Sequence, residues 1–289
     1  MPSGLIKSGY ALLAGLTNTG KSSLLNALTE TSISPTAPQP ASTRMPITGI
    51  CTPGNSQICF VDTPPLDGAS DSSMVEWVDV VVMLLNIVTF EEDLQRPEVS
   101  GFLESAGERP LVLALGRNDY VKTEHREAYL NKARYTNRFN AAVTVNPLTG
   151  SGVKDLLNAV LASIPLRERL FPRSIKTLNS KRFLISEQIR ASLFAALPPE
   201  TAMETAVQIE ETSLRDGKLY IRSNLIVSRA SSKGMLIGRR GQTLERIGQL
   251  STESIERYTG DRCRLDLWVK VREAWPENKT DMLEFGYVC

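Results

Sequence analysis

The sequence is poor in the residues that bind zinc or form disulfides. Its four cysteines show no C-x-x-C spacing, and its only histidine, His125, is followed by the charged residues Arg126 and Glu127. A zinc site, a disulfide framework and a histidine-dependent triad are therefore not indicated. We interpret His125 as a solvated side chain on a polar helix face.

Long apolar runs are missing as well. The best candidate, Val78 to Val88, is interrupted by Asp79 and Asn86 and is typical of a buried strand. The N-terminus lacks the basic segment and apolar core of a secretory signal. We therefore expect a cytoplasmic protein without a transmembrane segment, and we leave contact with a membrane surface open.

Charge is balanced over the whole chain but not along it. The 289 residues carry a net charge of +1, whereas Lys218 to Arg246 holds seven basic residues and one acidic residue, a local excess of +6. Such an excess suits a polyanionic partner, because a merely solvated face usually carries both signs. With 42% hydrophobic residues, the chain is long enough for two globular domains.

One stretch has a specific chemical signature. Gly15 to Ser22 lies between a strand-like run, Tyr10 to Ala14, and a helix-like run, Ser23 to Glu30. Its pattern, G-x-x-x-x-G-K-[ST], predicts a phosphate-binding loop in which backbone N–H groups and a helix dipole face the anion. The lysine of the pattern would reach the outer phosphates, and the serine would ligate Mg²⁺.

The order of predicted elements changes along the chain. Residues 1–166 alternate strand-like and helix-like segments, including helical patterns around Glu91 to Ser105, and predict a mostly parallel sheet covered on both faces. Residues 167–179 are predicted as a linker, because prolines bound a charged stretch there. Residues 180–289 predict an α+β module whose helical stretch, Gly234 to Thr259, is interrupted by glycines.

A nucleotide site also needs an acid near the metal and residues that read the base. Asp62 ends the second strand of a predicted hairpin, so its carboxylate could join the magnesium shell, and Thr43 in a proline-rich loop could add a hydroxyl. Asp119 follows the buried strand that begins at Leu111. A carboxylate there can accept two hydrogen bonds from guanine, whereas adenine has no such pair of donors.

These motifs resemble the Era family of bacterial GTPases over essentially the whole chain. The resemblance rests on Gly15 to Asn26, Ser42 to Arg44, Asp62 to Pro64, Met235 to Gly241, Ile247 with Gly248, Leu265 to Val271, and Trp275. It implies an α/β P-loop GTPase domain followed by an α+β KH domain of type II that binds RNA.

The resemblance also implies ligands and candidate contacts. The ligands are GTP or GDP, Mg²⁺ and a monovalent cation near Asn18, whose side chain could equally brace the loop. The implied nucleotide contacts are Gly15, Asn18, Thr19, Gly20, Lys21, Ser22, Ser23, Asp62 and Asp119. The implied magnesium ligands are Ser22, Thr43 and Asp62. No catalytic residue is assigned.

The basic stretch contains a G-x-x-G turn between two helical segments. Its glycines would let a nucleic-acid backbone come close, as in the loop of KH domains, and its arginines add charge. The candidate RNA contacts are Lys233, Ile237, Gly238, Arg239, Arg240 and Gly241. Ile237, Leu244 and Ile247 could line a groove for unstacked bases or belong to the core.

The resemblance further implies a partner. This is single-stranded RNA rather than DNA, from the 3′ region of 16S ribosomal RNA, and the role is maturation of the small ribosomal subunit. We expect a monomer.

Several positions depart from the family pattern. Pro65 replaces a glycine whose N–H binds the γ-phosphate, and proline has no N–H. The segment from Leu66 to Met74 is short, so a switch helix is expected to be missing. In the guanine motif, Gly116 replaces the asparagine that braces the loop and Arg117 replaces a lysine. Asn146-Pro147 replaces Ser-Ala and removes a backbone donor to guanine O6.

Three hypotheses follow. The first is a GTP-binding switch that gates an RNA-binding module during ribosome assembly, with slow hydrolysis at best. The second is an RNA-binding assembly factor whose GTPase domain is a scaffold that does not turn nucleotide over. The third and weakest is a P-loop ATPase. Pro65 and the altered guanine motif favour the second hypothesis. The first is favoured by the intact residues Lys21, Ser22, Thr43, Asp62 and Asp119.

Overall fold

The computed structural model describes residues 4–35, 45–67 and 72–285. Contacts divide the chain into two compact units, and the division falls after Leu178. The first unit alternates strands and helices around a mostly parallel sheet, and the second has the order of elements expected of a type II KH domain. The predicted fold class is therefore confirmed.

The first unit is built on one main sheet. Its strands are β1 (Ile6–Ala14), β2 (Ile47–Cys51), β3 (Gln57–Asp62), β4 (Val80–Asn86), β5 (Leu111–Gly116) and β6 (Ala141–Thr144). They lie in the order β2-β3-β1-β4-β5-β6, with β2 antiparallel to β3 and the other neighbours parallel. Every residue of β3 and β5 is buried. Strands so apolar on both faces require helices on both sides of the sheet.

Helices of the first unit supply this cover. They are α1 (Lys21–Thr29), α2 (Phe90–Asp93), α3 (Pro97–Ser105), α4 (Thr123–Tyr135) and α5 (Val153–Ser163). The helical patterns around Glu91 to Ser105 correspond to two helices, α2 and α3. Pro97 explains the break, because it cannot donate a backbone hydrogen bond to α2, whereas its fixed φ suits the start of α3.

The segment predicted as a linker lies along the first unit. Strand β7 (Leu166–Arg167) pairs antiparallel with the start of β1. Further on, the side-chain amide of Gln57 donates to the Phe171 carbonyl at 2.8 Å and accepts from the Phe171 N–H at 2.9 Å. The Ile50 N–H donates to the Lys176 carbonyl at 2.7 Å. These contacts anchor the segment, and the predicted limits 167–179 stay a prediction.

The second unit packs helices on one face of a three-stranded sheet. Its strands are β8 (Ala206–Arg215), β9 (Lys218–Val227) and β10 (Cys263–Val271). Strand β9 is central, antiparallel to β8 and parallel to β10. Its helices are α6 (Lys181–Ala196), α7 (Pro199–Met203), α8 (Ala230–Ile237), α9 (Gln242–Thr259) and α10 (Lys279–Glu284). The core between sheet and helices includes Leu225 and Ile247, both fully buried.

A smaller apolar cluster holds the end of the second unit. Trp275 is 2% exposed and packs edge-on against Phe285, with ring centroids 5.6 Å apart. Its indole N–H donates to the carbonyl of Glu204 at 3.1 Å, so the ring is buried without losing its polar contact. This contact fixes the chain beyond β10 against the residues that precede β8.

Candidate functional site

The predicted phosphate-binding loop connects β1 to α1. Gly15 has a φ of +154°, and a Cβ there would lie 2.3 Å from the carbonyl oxygen of Leu84 in β4. Asn18 and Gly20 also have positive φ values, +60° and +96°. These conformations wrap the loop tightly between β1 and β4, and only glycine fits at its first position.

Lys21 is buried beneath the loop. Its ammonium is in a side chain only 7% exposed and donates to the carbonyls of Gly15 at 2.8 Å and Leu16 at 3.0 Å. Burial lowers the pKa of Lys21, and the carboxylates of Asp62 and Asp67 oppose that shift. The loop therefore holds a cation in place beside the backbone that would surround a phosphate.

Ser22 and Asp62 meet at the first turn of α1. The Ser22 hydroxyl donates to Asp62 Oδ2 at 2.7 Å, and Asp62 is fully buried at the end of β3. Both are hard oxygen donors of the kind that Mg²⁺ prefers, so this pair fits a magnesium ion shared with nucleotide phosphates. The third predicted metal ligand, Thr43, lies outside the described residues.

The chain after Asp62 folds back onto the loop. The Leu66 N–H donates to the Gly15 carbonyl at 3.2 Å. Both the N–H and the hydroxyl of Thr17 donate to Asp67 Oδ1, each at 2.8 Å. Sequence reasoning missed this contact, because no motif links residues 50 positions apart. The described residues that follow, Ser72–Trp77, form a 3₁₀ helix.

The predicted guanine-reading residues follow β5, next to the phosphate-binding loop. A Cβ on Gly116 would lie 3.4 Å from the carbonyl oxygen of Thr19, so a longer side chain at this position could reach that loop. Arg117 instead has its guanidinium 5.7 Å from the ring of Tyr120 and a hydrogen bond to its hydroxyl at 3.3 Å. Asn118 is buried, at 2% exposure.

Asn146 supports Asp119 from the loop after the neighbouring strand, β6. Its amide donates to Asp119 Oδ1 at 3.3 Å, while its own Oδ1 accepts from the N–H groups of Leu148 at 3.0 Å and Thr149 at 3.3 Å. Sequence reasoning treated Asn146 only as a departure from the family. The side chain nevertheless orders the loop after β6 and directs Asp119, and its Asn-Pro-x-Thr turn was the available signal.

These groups meet because of the strand order. The loop after β1, Asp62 at the end of β3 and Asp119 after β5 all follow the carboxyl ends of parallel strands. In an open α/β sheet such ends share one edge, where ligands bind. The predicted nucleotide contacts within the described residues therefore lie along one edge of the sheet, and their binding of a nucleotide stays a prediction.

The predicted RNA-binding turn joins α8 to α9 in the second unit. Gly238 has φ +71° and Gly241 has φ +83°, so the backbone reverses sharply. Arg239 and Arg240 are exposed, and neither side chain has an ion pair or hydrogen bond with any residue that the structure describes. Lys233 is partly exposed one turn before the end of α8. The turn thus presents free positive charge beside accessible backbone.

An apolar groove of about 700 Å³ adjoins this turn. Leu244, Leu265 and Leu267 give it apolar walls, and Gly248 opens it because a Cβ there would have its nearest neighbour 3.9 Å away. Glu245, Gln249, Thr252 and Glu253 add a polar rim. Leu244 lines this groove and also packs against the core, whereas Ile247 is fully buried in the core. Ile237 is half-buried and is not among the described residues that line the groove. Entry of bases into the groove stays a prediction.

The sequence predicts no transmembrane segment, and the helices of the structure bear on this prediction. Within the described ranges, none combines the length and the apolar character needed to cross a bilayer.

Two family models match the chain. One, described as a 50S ribosome-binding GTPase, matches residues 10–117. The other, described as a KH domain, matches residues 201–276. The first model covers the loop, Asp62 and Gly116, and the second covers the RNA-binding turn and the groove.

Curated relatives are similar over nearly the whole length. GTPase Era of Geotalea daltonii is 34% identical over 294 residues, which cover 97% of each chain. GTPase Era of Trichlorobacter lovleyi is 31% identical over 292 residues, covering 97% of this chain and 98% of that protein.

Solved structures give the same likeness. A variant of Era from Aquifex aeolicus bound to GDP and AlF₄⁻ superposes with a TM-score of 0.88 at 26% identity, covering 98% of this chain and 100% of that chain. Era in complex with MgGDPNP and nucleotides 1506 to 1542 of 16S ribosomal RNA superposes with a TM-score of 0.87 at the same identity and coverage.

The turn between α8 and α9 yields a test of its own geometry. In Gly238→Ala, the added Cβ would lie 2.1 Å from Thr243 Oγ1 at a positive φ, and we expect the second unit to lose about 1–3 kcal/mol of stability. Thermal unfolding of the full chain measures this. Gly234→Ala is the matched control, because a Cβ at Gly234 in α8 meets nothing within 4 Å. Equal melting temperatures for the two variants would contradict the described turn.

Proposed function

Since this chain belongs to the Era family of bacterial GTPases, we propose that it acts in maturation of the small ribosomal subunit as a GTP-binding factor that binds ribosomal RNA, with its nucleotide state gating the KH domain. The observation that carries the nucleotide part is the hydrogen bond between Ser22 and Asp62 at 2.7 Å. It brings two oxygen ligands for Mg²⁺ to the first turn of α1, beside the buried ammonium of Lys21.

The nucleotide contacts follow from this arrangement. The backbone of Gly15, Asn18, Thr19, Gly20, Lys21, Ser22 and Ser23 would surround the phosphates of GTP or GDP. Ser22 and Asp62 would hold Mg²⁺, with Thr43 as the third protein ligand. When bound, the ion neutralises charge on the phosphate oxygens. Asp119, directed by Asn146, would accept hydrogen bonds from guanine.

A monovalent cation near Asn18 is part of this proposal. Asn18 is exposed in the loop and its side chain makes no hydrogen bond with the described residues. This supports a role toward a ligand over the alternative, in which the side chain braces the loop.

We expect turnover to be slow. Pro65 has no N–H to give to the γ-phosphate, and the N–H of the next residue, Leu66, already donates to Gly15. Gly116 lacks the side chain that braces the guanine loop in the family, and Pro147 has no backbone N–H to give to guanine O6. Each missing hydrogen bond costs about 1–3 kcal/mol of nucleotide interaction. No described side chain is assigned as catalytic.

The non-hydrolysing scaffold is the less favoured alternative. A scaffold has no need of a buried lysine directed at two loop carbonyls, or of a serine hydroxyl held on a buried carboxylate. Both cost desolvation energy that a ligand would offset. A P-loop ATPase is disfavoured by Asp119, whose carboxylate suits the donors of guanine.

The RNA part rests on the turn and groove of the second unit. Arg239 and Arg240 would contact phosphates, with Lys233 and Ile237 beside them, and Gly238 and Gly241 would let the backbone approach. Bases would enter the groove lined by Leu244, Leu265 and Leu267. By analogy with the relative solved with a fragment of 16S ribosomal RNA, the 3′ region of that RNA is the proposed partner. We propose that the protein works as a monomer in the cytoplasm.

Calorimetric titration with GTP, GDP and ATP in the presence of Mg²⁺ tests the nucleotide site. We expect guanine nucleotides to bind more tightly than ATP, and Lys21→Ala to weaken that binding about 10- to 100-fold, because a charge-assisted contact is lost. Lys154→Ala, which removes an exposed cation from α5, serves as control. Absence of binding for every nucleotide at millimolar concentration would leave only the scaffold.

The substitution Gly116→Asn restores the asparagine that braces the guanine loop in the family, and it tests the role of that side chain. In Gly116→Asn, the amide can reach the carbonyl of Thr19, and we expect GDP to bind about fivefold more tightly, the worth of one net hydrogen bond. Gly116→Ala adds the Cβ without the amide and should leave the affinity unchanged. A gain of the same size in both variants would mean that bracing by the amide is not the cause.

The salt dependence of RNA binding tests the turn. With a single-stranded RNA from the 3′ end of 16S ribosomal RNA, we expect the double variant Arg239→Ala/Arg240→Ala to bind more weakly and to flatten the slope of log affinity against log salt by about 1–2. The control Arg257→Ala/Arg262→Ala removes the same charge from exposed positions of the same unit. An unchanged slope in the first variant would count against the turn.

A further inference from the structure

A carboxylate of the chain itself occupies donors of the phosphate-binding loop. Asp67 Oδ1 accepts hydrogen bonds from both the backbone N–H and the hydroxyl of Thr17, each at 2.8 Å. Beside it, the Leu66 N–H donates to the carbonyl of Gly15 at 3.2 Å. The segment after Asp62 is therefore fastened to the loop at two points, and neither point leaves a donor for a phosphate.

The carboxylate of Asp67 also adds a negative charge beside the phosphate-binding loop. Partial burial by itself raises the pKa of Asp67, but the side-chain and backbone hydrogen bonds from Thr17 and the charge of Arg96 outweigh it and lower the pKa. Asp67 is therefore ionised at neutral pH. Its charge acts on Lys21, together with that of Asp62. The lysine that would serve the outer phosphates thus already feels the charge of two carboxylates, while its ammonium donates to the carbonyls of Gly15 and Leu16.

A terminal phosphate would meet this arrangement directly. A nucleoside triphosphate places more negative charge near the loop lysine than a diphosphate does, and like charges a few ångströms apart repel each other. The N–H that relatives offer to this phosphate is absent at Pro65. A bound triphosphate must therefore either displace Asp67 from Thr17 or remain close to its negative charge, and both lower its affinity. A diphosphate carries less charge at this place, so its affinity is lowered less.

We propose that Asp67 sets the nucleotide preference of this chain: its carboxylate, held by Thr17, stands in for the terminal phosphate and makes the site favour GDP over GTP. This inference rests on the proposed guanine-nucleotide site. It assigns a specificity role to a residue outside every recognised motif. GTP binding is thermodynamically linked to the position of the segment from Pro64 to Asp67. A partner that holds this segment away from the loop raises the affinity for GTP by some factor, and GTP raises the affinity for that partner by the same factor.

The test compares GDP with the non-hydrolysable analogue GDPNP, both with Mg²⁺, by calorimetry on the full chain. Asp67→Asn keeps an oxygen that can accept from Thr17 and removes the charge. We expect affinity for GDPNP to rise about tenfold and affinity for GDP to change less than twofold. Asp155→Asn removes a carboxylate from an exposed position in α5 and should change neither value.

A second readout separates charge from shape. In the unsubstituted protein, added salt should narrow the difference between GDP and GDPNP, because the repulsion is screened, whereas Asp67→Asn should show little salt dependence in that difference. An unchanged GDP to GDPNP ratio in both Asp67→Asn and Asp67→Ala would overturn the role of Asp67 while leaving the nucleotide site intact. Failure of both nucleotides to bind the unsubstituted protein would instead overturn the site, and this inference with it.

Discussion

The buried ammonium of Lys21 is the interaction on which the nucleotide site depends. A cation at 7% exposure is costly unless its donors find acceptors, and here the carbonyls of Gly15 and Leu16 accept from two of its three N–H groups. Accepting that bond requires the Gly15 carbonyl to face inward, which the positive φ of Gly15 permits. The same carbonyl then receives the Leu66 N–H. The Gly15 carbonyl thus joins the ammonium of Lys21 in the loop to the segment that follows Asp62.

Glycines, which have no side chain, shape both proposed ligand surfaces. At Gly15 a Cβ would strike the Leu84 carbonyl, and at Gly238 it would strike the Thr243 hydroxyl. At Gly248 the missing side chain leaves the groove open. At Gly15 and Gly238 the missing side chain lets two parts of the chain pack closely, and at Gly248 it leaves room beside the helix. The positive charge that attracts the ligand is supplied separately, by a buried lysine in one unit and exposed arginines in the other.

The sequence predicted the parts of the site that have their own local pattern. Ser22 and Asp62 are predicted to share a metal, and the structure brings them within hydrogen-bond distance because each has a fixed place at a strand or helix end. Their role as metal ligands stays a prediction. The contacts missed, Asp67 with Thr17 and Asn146 with Asp119, join residues far apart in sequence whose types suit any surface turn. The fate of Ile247 was undecided for a related reason: helical spacing alone cannot tell a groove wall from a core residue. The anchoring of residues 167–179 was missed because a charged stretch between prolines does not show the apolar pattern of a strand, although the short strand β7 begins just before it.

Strand β7 bears on where the first unit ends as a folding unit. Leu166 and Arg167 pair with the first residues of β1, and Phe171 satisfies both polar groups of the buried Gln57. A fragment cut after α5 would lose these partners and leave a buried amide unsatisfied, whereas a fragment cut after Leu178 keeps them. A stable fragment of the first unit is therefore expected to include the charged stretch and to extend to Leu178.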